Sequence, residues 1–281
     1  MSPTDPRAVL TRAALPPDTV LRYAPGEDGV VDLRAPRGAT APGGAPLVIL
    51  LHGGFWRAEY DRVSAGTGPL AEALAAHGFA VATPEYRRVG QRGGGWPGTF
   101  DDIARAVDAL PALVAAELGG VVDVRRTVLV GHSAGGHLAT WYASRAGLPA
   151  GSPWFTDSPP PIRGVVALGG VLDLRLAAAL QLGDGATQAL LGGEPVEEPE
   201  RYAAADPSSL TPPAVPVVLI HGAEDVQVPV GLSRAYARAV GADAGDARLT
   251  VLPGVEHFGL VDPESPAWDA VLSAVRGLAE G

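Results

Sequence analysis

Residues Val128-Leu129-Val130-Gly131-His132-Ser133-Ala134-Gly135-Gly136 leave this chain few folds to choose from. A β-type apolar run ends in Gly-x-Ser-x-Gly and passes directly into an Ala-rich helical stretch. Strand, tight turn and helix in that order make an elbow that lifts a serine hydroxyl above the end of a sheet. The turn is sharp and strained, so its flanks must be small. A Cβ at Gly131 or Gly135 is expected to collide with neighbouring backbone. The helix N-terminus behind the serine favours developing negative charge. A phosphate-binding turn is the competing reading of such a junction. Gly-His-Ser-Ala-Gly-Gly has neither the G-x-G-x-x-G spacing nor the G-x-x-x-x-G-K-[ST] pattern, which disfavours it. Ser133 is the candidate nucleophile.

Around this unit, apolar runs alternate with helical patterns. Thr19–Tyr23 and Val30–Leu33 read as an early antiparallel pair. Leu47–Leu51, Ala80–Thr83, Thr127–Val130, Gly164–Leu168, Val217–Ile220 and Leu249–Leu252 read as further strands. Several are continuously hydrophobic, the signature of strands covered on both faces. Helices are expected over Pro69–His77, Phe100–Leu118, Ala134–Arg145, Leu172–Leu182, Val230–Val240 and Ala267–Leu278. Asp101 and Asp102 suit the positive end of the second. Pro/Gly-rich stretches at Pro36–Pro46, Gly90–Gly98, Gly151–Pro161 and Gly192–Pro199 read as loops. The alternation predicts an α/β domain over residues 1–281, with a mainly parallel central sheet and helices on both faces. Residues 171–216 exceed what one helix needs and are expected to carry a small cap insertion.

A serine needs a base, and the base needs an oriented acid. In the α/β-hydrolases, which this strand–turn–helix elbow resembles, the order along the chain is Ser, then Asp or Glu, then His. His52, His77 and His132 precede the serine, and His137 lies one helical turn beyond it. His221 leaves no strand-end acid between itself and Ser133, whereas His257 follows the last expected strand. His257 is the candidate base. Two carboxylates, Glu224 and Asp225, end the strand before it. The shorter Asp225 holds an imidazole more tightly, with Glu224 as its rival. Asp243 and Asp246 read as solvated loop residues.

Acyl transfer also needs N–H donors aimed at a tetrahedral oxyanion. One is expected from Ala134, directly after the serine. Gly54 and Phe55 supply the others from His52-Gly53-Gly54-Phe55-Trp56, which follows the strand Leu47–Leu51. His52 is expected to brace that loop. Phe55, Trp56 and His132 are candidate pocket-wall residues, with core packing the competing account for Trp56. Arg87, Arg88 and Arg92 read as a solvated basic face, or as an anion contact.

The remaining chain sets outer bounds. Cysteine is absent, so disulfides and thiol chemistry are excluded. A net charge of −10 argues against nucleic acid and anionic membranes as partners. All 21 basic residues are arginine, which reads as coding bias. Met1–Leu10 has no apolar leader core and no run is long enough to span a membrane, so a cytoplasmic location is expected. A small-molecule substrate, no cofactor and no metal are expected, and a homodimer is left open.

His52-Gly53-Gly54-Phe55-Trp56, Gly131 to Ala139, His221-Gly222-Ala223-Glu224-Asp225 and His257-Phe258 together resemble the α/β-hydrolase superfamily. The resemblance runs from about Leu47 onward and is strongest to its esterase/lipase and kynurenine formamidase (arylformamidase) branch. It implies an α/β-hydrolase fold and a serine hydrolase. It also implies cleavage of a small carboxylic ester or N-formyl aryl amide through an acyl-enzyme, with N-formyl aryl amides such as N-formylkynurenine ranked first and short-chain esters second. Short-chain carboxylesterase or acetylesterase is the alternative. A non-catalytic ligand receptor and an acyltransferase or cyclase on the same fold are the further ones.

Overall fold

The computed structural model describes residues 7–38, 43–240 and 247–281. Among the described residues, eight strands form one sheet: β1 (Thr19–Arg22), β2 (Val30–Arg34), β3 (Ala45–Leu51), β4 (Ala80–Pro84), β5 (Val122–His132), β6 (Gly164–Leu168), β7 (Val217–Gly222) and β8 (Ala247–Leu252). Their order across the sheet is β1-β2-β4-β3-β5-β6-β7-β8. The β1–β2 and β2–β4 pairs are antiparallel, and every other pair is parallel.

The hydrophobic runs explain this layering. Every residue of β3 is buried, because each face of the strand meets a helical layer. Leu47, Ile49 and Leu51 point into one core and Val48 and Leu50 into the other, the two-residue alternation of a pleated strand. The first core is closed by α3 (Gly98–Leu118), α4 (Ala134–Ala143) and α8 (Gly231–Ala239), through Phe100, Leu138, Trp141 and Tyr236. The second is closed by α2 (Thr67–Ala76) and α9 (Trp268–Glu280), through Leu70, Leu74, Val271 and Val275. A short turn, α1 (Ala8–Thr11), packs Val9 into the same layer. Among the described residues, no helix is long and apolar enough to cross a membrane.

The chain leaves β3 for β4 on one side and returns to β5 on the other. Loops at such a reversal splay apart at the carboxyl ends of the strands and leave a crevice. The loops after β3 and β5 are His52–Trp56 and the Ser133 turn, so the topology itself brings them together.

Three expectations are corrected. The helix expected over Leu172–Leu182 is broken into α5 (Leu174–Ala179) and α6 (Leu182–Leu191). Gln181, Gly183, Asp184 and Gly185 all take left-handed φ there, which no continuous helix tolerates. The strand expected over Thr127–Val130 runs from Val122 to His132, its first half disguised by Asp123, Arg125 and Arg126. Helix α3 begins at Gly98, inside the expected loop. Sequence reading also missed α7 (Pro199–Ala205), which with α5 and α6 fills residues 171–216. This segment meets the loop after β3. Arg57 donates to the carbonyls of Gly183 and Asp184, and a Cβ on Gly183 would lie 2.8 Å from the Phe55 ring.

Asp206, after α7, is fully buried and accepts from the Ser208 N–H at 3.1 Å and the Ser208 hydroxyl at 2.9 Å. Burial pushes its carboxyl up to about 6, against those bonds. A carboxyl raised in the folded state stabilises the protein below its unfolded pKa, and that contribution is lost as pH rises through the folded value. Wild-type stability is therefore expected to fall between about pH 4 and pH 7 by on the order of 2–3 kcal/mol relative to Asp206→Asn. Urea titrations of both proteins across that range check this; parallel curves would remove Asp206 as the cause.

Candidate active site

Strand β5 ends in a strained turn. Ser133 sits at φ 56°, ψ −118°, a conformation costing a side-chain-bearing residue about 1–3 kcal/mol. The surrounding backbone holds it: its N–H donates to Leu168 at 2.8 Å, and its carbonyl accepts from His137 at 3.2 Å. The expected collisions are present. A Cβ at Gly131 would lie 2.2 Å from the Gly135 carbonyl oxygen, and one at Gly135 would lie 2.1 Å from that of Leu51. These neighbours are backbone and cannot rotate aside. Gly131→Ala is accordingly expected to yield unfolded or insoluble protein; a soluble variant with unchanged melting temperature would show that the turn has slack.

At the end of β7, Asp225 is buried and Glu224 is exposed. Asp225 Oδ1 accepts from the N–H groups of Gln227 at 2.9 Å and Val228 at 2.8 Å. Its Oδ2 lies 2.7 Å from His257 Nδ1 and 3.3 Å from His221 Nε2. Burial alone would raise this carboxyl, but the bonds from His221 and His257 and the backbone N–H groups hold it well below the usual carboxylate range. An ionised Asp225 requires His257 to donate from Nδ1, which leaves Nε2 as the free base. His221 braces this corner, with Nδ1 at 2.7 Å from Ser233 Oγ and Nε2–H donating to the Val228 carbonyl at 2.8 Å.

Ser133 and His257 line one cavity of about 100 Å³, together with Gly54, Phe55, His132 and Phe258. Of the two contacts a proton relay needs, Asp225 to His257 is made. Ser133 and His257 share the cavity without a hydrogen bond between them.

The loop after β3 forms the opposite wall. Gly54, Phe55 and Trp56 take φ of 104°, 49° and 55° in succession. A Cβ at Gly54 would lie 2.3 Å from Tyr60 Cβ, so only glycine fits. His52 is fully buried, with Nδ1 at 2.8 Å from the Gly53 carbonyl and Nε2 at 3.0 Å from Glu85 Oε1. In a trans peptide the carbonyl and the following N–H point in opposite directions. Holding the Gly53 carbonyl against His52 therefore aims the Gly54 N–H away from that ring. Tyr86 stacks on His52 at 4.3 Å and donates to its carbonyl at 2.9 Å. Ala134 is the first residue of α4, so its N–H has no partner in the helical ladder.

Glu85 was not singled out from the sequence. Burial would raise its pKa, but the His52 bond and the nearby Arg62 and Arg88 hold it low. An acid directly after β4 was the available signal. Arg88 is buried against Glu85 and Asp28, and Arg87 pairs with Asp102 at 2.8 Å. Two of the three arginines thus serve internal ion pairs, which corrects the expectation of a solvated or anion-binding cluster.

Trp56 is a second correction. It is fully buried, its indole donates to His137 Nδ1 at 3.2 Å, and it does not line the cavity. Phe55 and His132 do line it. His132 Nε2–H donates to the His257 carbonyl at 3.1 Å, and burial pushes its pKa down to about 3. Burial likewise pushes His137 down to about 4. Both rings are neutral near pH 7. Asp243 and Asp246 lie outside the described residues. Among the described residues, no group of three or more His, Cys, Asp or Glu is placed to hold a metal.

A hydroxyl and an imidazole that line one small cavity with a glycine turn, the imidazole bonded to an ionised carboxylate, make a set of groups suited to acyl transfer. The BD-FAE family profile matches residues 31–240. The chain is 29% identical over 242 residues to Esterase LipQ of Mycobacterium tuberculosis (strain ATCC 25618 / H37Rv), covering 84% of this chain and 55% of LipQ. It thus spans about half the length of that curated relative. Esterase B of Lactobacillus rhamnosis superposes with a TM-score of 0.75 at 20% identity, covering 98% of this chain and 90% of that one. The propionate-bound esterase Est2 of Thermogutta terrifontis gives 0.68 at 22% identity, covering 93% of each. At such identities these structures establish the α/β-hydrolase fold.

Proposed function

The chain belongs to the BD-FAE family, and on that premise we propose that it is a serine-dependent carboxylic ester hydrolase acting on small acyl esters. In this reading Ser133 Oγ attacks the ester carbonyl while His257 Nε2 takes its proton. Asp225 holds the resulting imidazolium. The N–H groups of Ala134, Gly54 and Phe55 stabilise the oxyanion, each donor being worth about 10²–10³ in rate. The tetrahedral adduct collapses, the C–O bond to the alcohol breaks, and the alcohol leaves with the proton from His257. Water then gives a proton to His257 and attacks the acyl-serine. The acid departs and Ser133 recovers its proton. Residues 171–216 serve as a small cap over one side of this site.

The observation that carries the reading is the Asp225–His257 bond at 2.7 Å, at the rim of the cavity that Ser133 also lines. Names of the relatives support an ester as substrate: LipQ and both structural neighbours are called esterases. N-formyl aryl amides form the second reading. A cavity of about 100 Å³ suits a formyl group, and the His-Gly-Gly-Phe-Trp and Gly-His-Ser-Ala-Gly segments resemble formamidases. Measuring kcat/KM for p-nitrophenyl acetate and N-formylkynurenine side by side decides between them. The ester is expected to be turned over faster. Turnover of the formamide alone would reverse the order, and turnover of neither would favour a non-catalytic receptor.

A further inference from the structure

Leu10 stands where two cavities meet. It lines the cavity of about 100 Å³ at Ser133, and it also lines a second cavity of about 410 Å³. Among the described residues, no other is common to the two linings. Beyond Leu10 the larger cavity carries apolar groups from Val9, Ala14, Pro17, Val63 and Pro69. The arginines beside them are already engaged. Arg34 donates to the carbonyls of Pro16 at 3.0 Å and Leu15 at 2.6 Å, and Arg62 pairs with Asp32 at 3.0 Å.

The partition is held in place from several sides. Val9, next to Leu10, is anchored in the core. Arg12 pairs with Asp262 and, at 3.1 Å, with Glu264, tying the segment to the loop that follows His257. The Leu10 side chain rests on Gly66, where a Cβ would lie 2.9 Å from its Cδ2. Residues 7–12 and 262–264 both fall outside the stretch matched by the family profile. This wall of the site is therefore built from segments that the profile does not describe.

We propose that Leu10 is a specificity-determining residue, a partition that confines the substrate beside Ser133 to a short acyl chain and shuts it off from the larger cavity. The inference deepens the ester hydrolase reading and rests on it. The cavity beside Ser133 is about a quarter the size of its neighbour, about 100 Å³ against about 410 Å³. A two- to four-carbon acyl group fits that space, and a longer chain meets the isobutyl group of Leu10. Because a single methylene in a pocket is worth about tenfold or more in discrimination, one side chain suffices to set the limit.

The test compares kcat/KM for p-nitrophenyl acetate, butyrate, hexanoate and octanoate in wild type, Leu10→Ala and Leu10→Phe. Wild type is expected to prefer the two shorter esters. Leu10→Ala is expected to raise the octanoate-to-acetate ratio at least about tenfold, and Leu10→Phe to lower the butyrate-to-acetate ratio. If Leu10→Ala does not fold, Leu10→Phe and Leu10→Val give the same reading in opposite directions. Binding provides a readout without turnover. Octanoate is expected to raise the melting temperature of Leu10→Ala and not that of wild type. Absence of wild-type ester turnover removes the functional reading, and the octanoate shift then still decides the partition. Unchanged ratios in folded variants, or equal octanoate shifts in both proteins, overturn it.

Discussion

Ser133→Ala is expected to lower kcat for p-nitrophenyl acetate by about 10⁴–10⁶-fold with KM changed only slightly. In free-energy terms this is about 5–8 kcal/mol of transition-state stabilisation. The size follows from what the residue does: without a hydroxyl no acyl-enzyme forms, and only the oxyanion donors and substrate binding remain to help water. The variant is a fair test of chemistry because alanine keeps the Cβ. The backbone at φ 56° already accommodates a side chain, so the turn, its bond to Leu168 and the helix behind it stay in place. Circular dichroism and an unchanged melting temperature check that the fold survives. A loss below about tenfold would mean that another group carries the reaction.

Asp225→Asn is expected to cost about 10⁴ in kcat, while Glu224→Gln changes kcat less than twofold. The neighbouring carboxylates differ in placement. Asp225 Oδ2 meets His257 Nδ1 at 2.7 Å, whereas Glu224 is exposed. An asparagine can still accept the Gln227 and Val228 N–H groups through its oxygen, which preserves the turn. Its amide then faces the imidazole, favours the wrong tautomer and offers no charge to the imidazolium. The pair also has a stability signature. A carboxyl held below its unfolded pKa contributes stability at neutral pH that is lost as pH falls through the acid range. Asp225→Asn lacks that contribution, so the stability gap between the two proteins is expected to narrow on acidification. Equal losses from both variants would place the acid's role elsewhere.

Much of this was legible in the residues because the constraints were local or ordinal. The serine elbow is one contiguous segment, and its glycine collisions follow from the sharpness of a single turn. The choice of His257 and Asp225 as candidates used the chain order that α/β-hydrolases share, together with the strand ends. Residues whose meaning depends on distant partners were harder to read. Glu85 acquires its place by meeting His52 across 33 positions, and Arg87 and Arg88 find carboxylates on other elements. Trp56 carries the same aromatic signal as Phe55. One residue of difference on a left-handed turn sends its ring into the core, to His137, and leaves Phe55 at the cavity. Segment 171–216 was misread where Gln181 and Asp184 adopt φ values that side-chain-bearing residues seldom take. Leu10 stood in a stretch with no periodicity to read, and its position emerges only when the ends of the chain meet through Arg12 and Asp262.

Ser133 is expected to become covalently acylated, with His257 as its base. Diethyl p-nitrophenyl phosphate tests this without any assumption about the natural substrate, since it leaves a stable phosphoryl group on an activated serine. Intact-mass measurement of wild type is expected to show a single diethylphosphoryl adduct, mapped by peptide sequencing to Ser133. Ser133→Ala should stay unlabelled, and His257→Ala should label at least about 10²-fold more slowly. An unlabelled wild type, or an adduct on any other residue, would contradict the account.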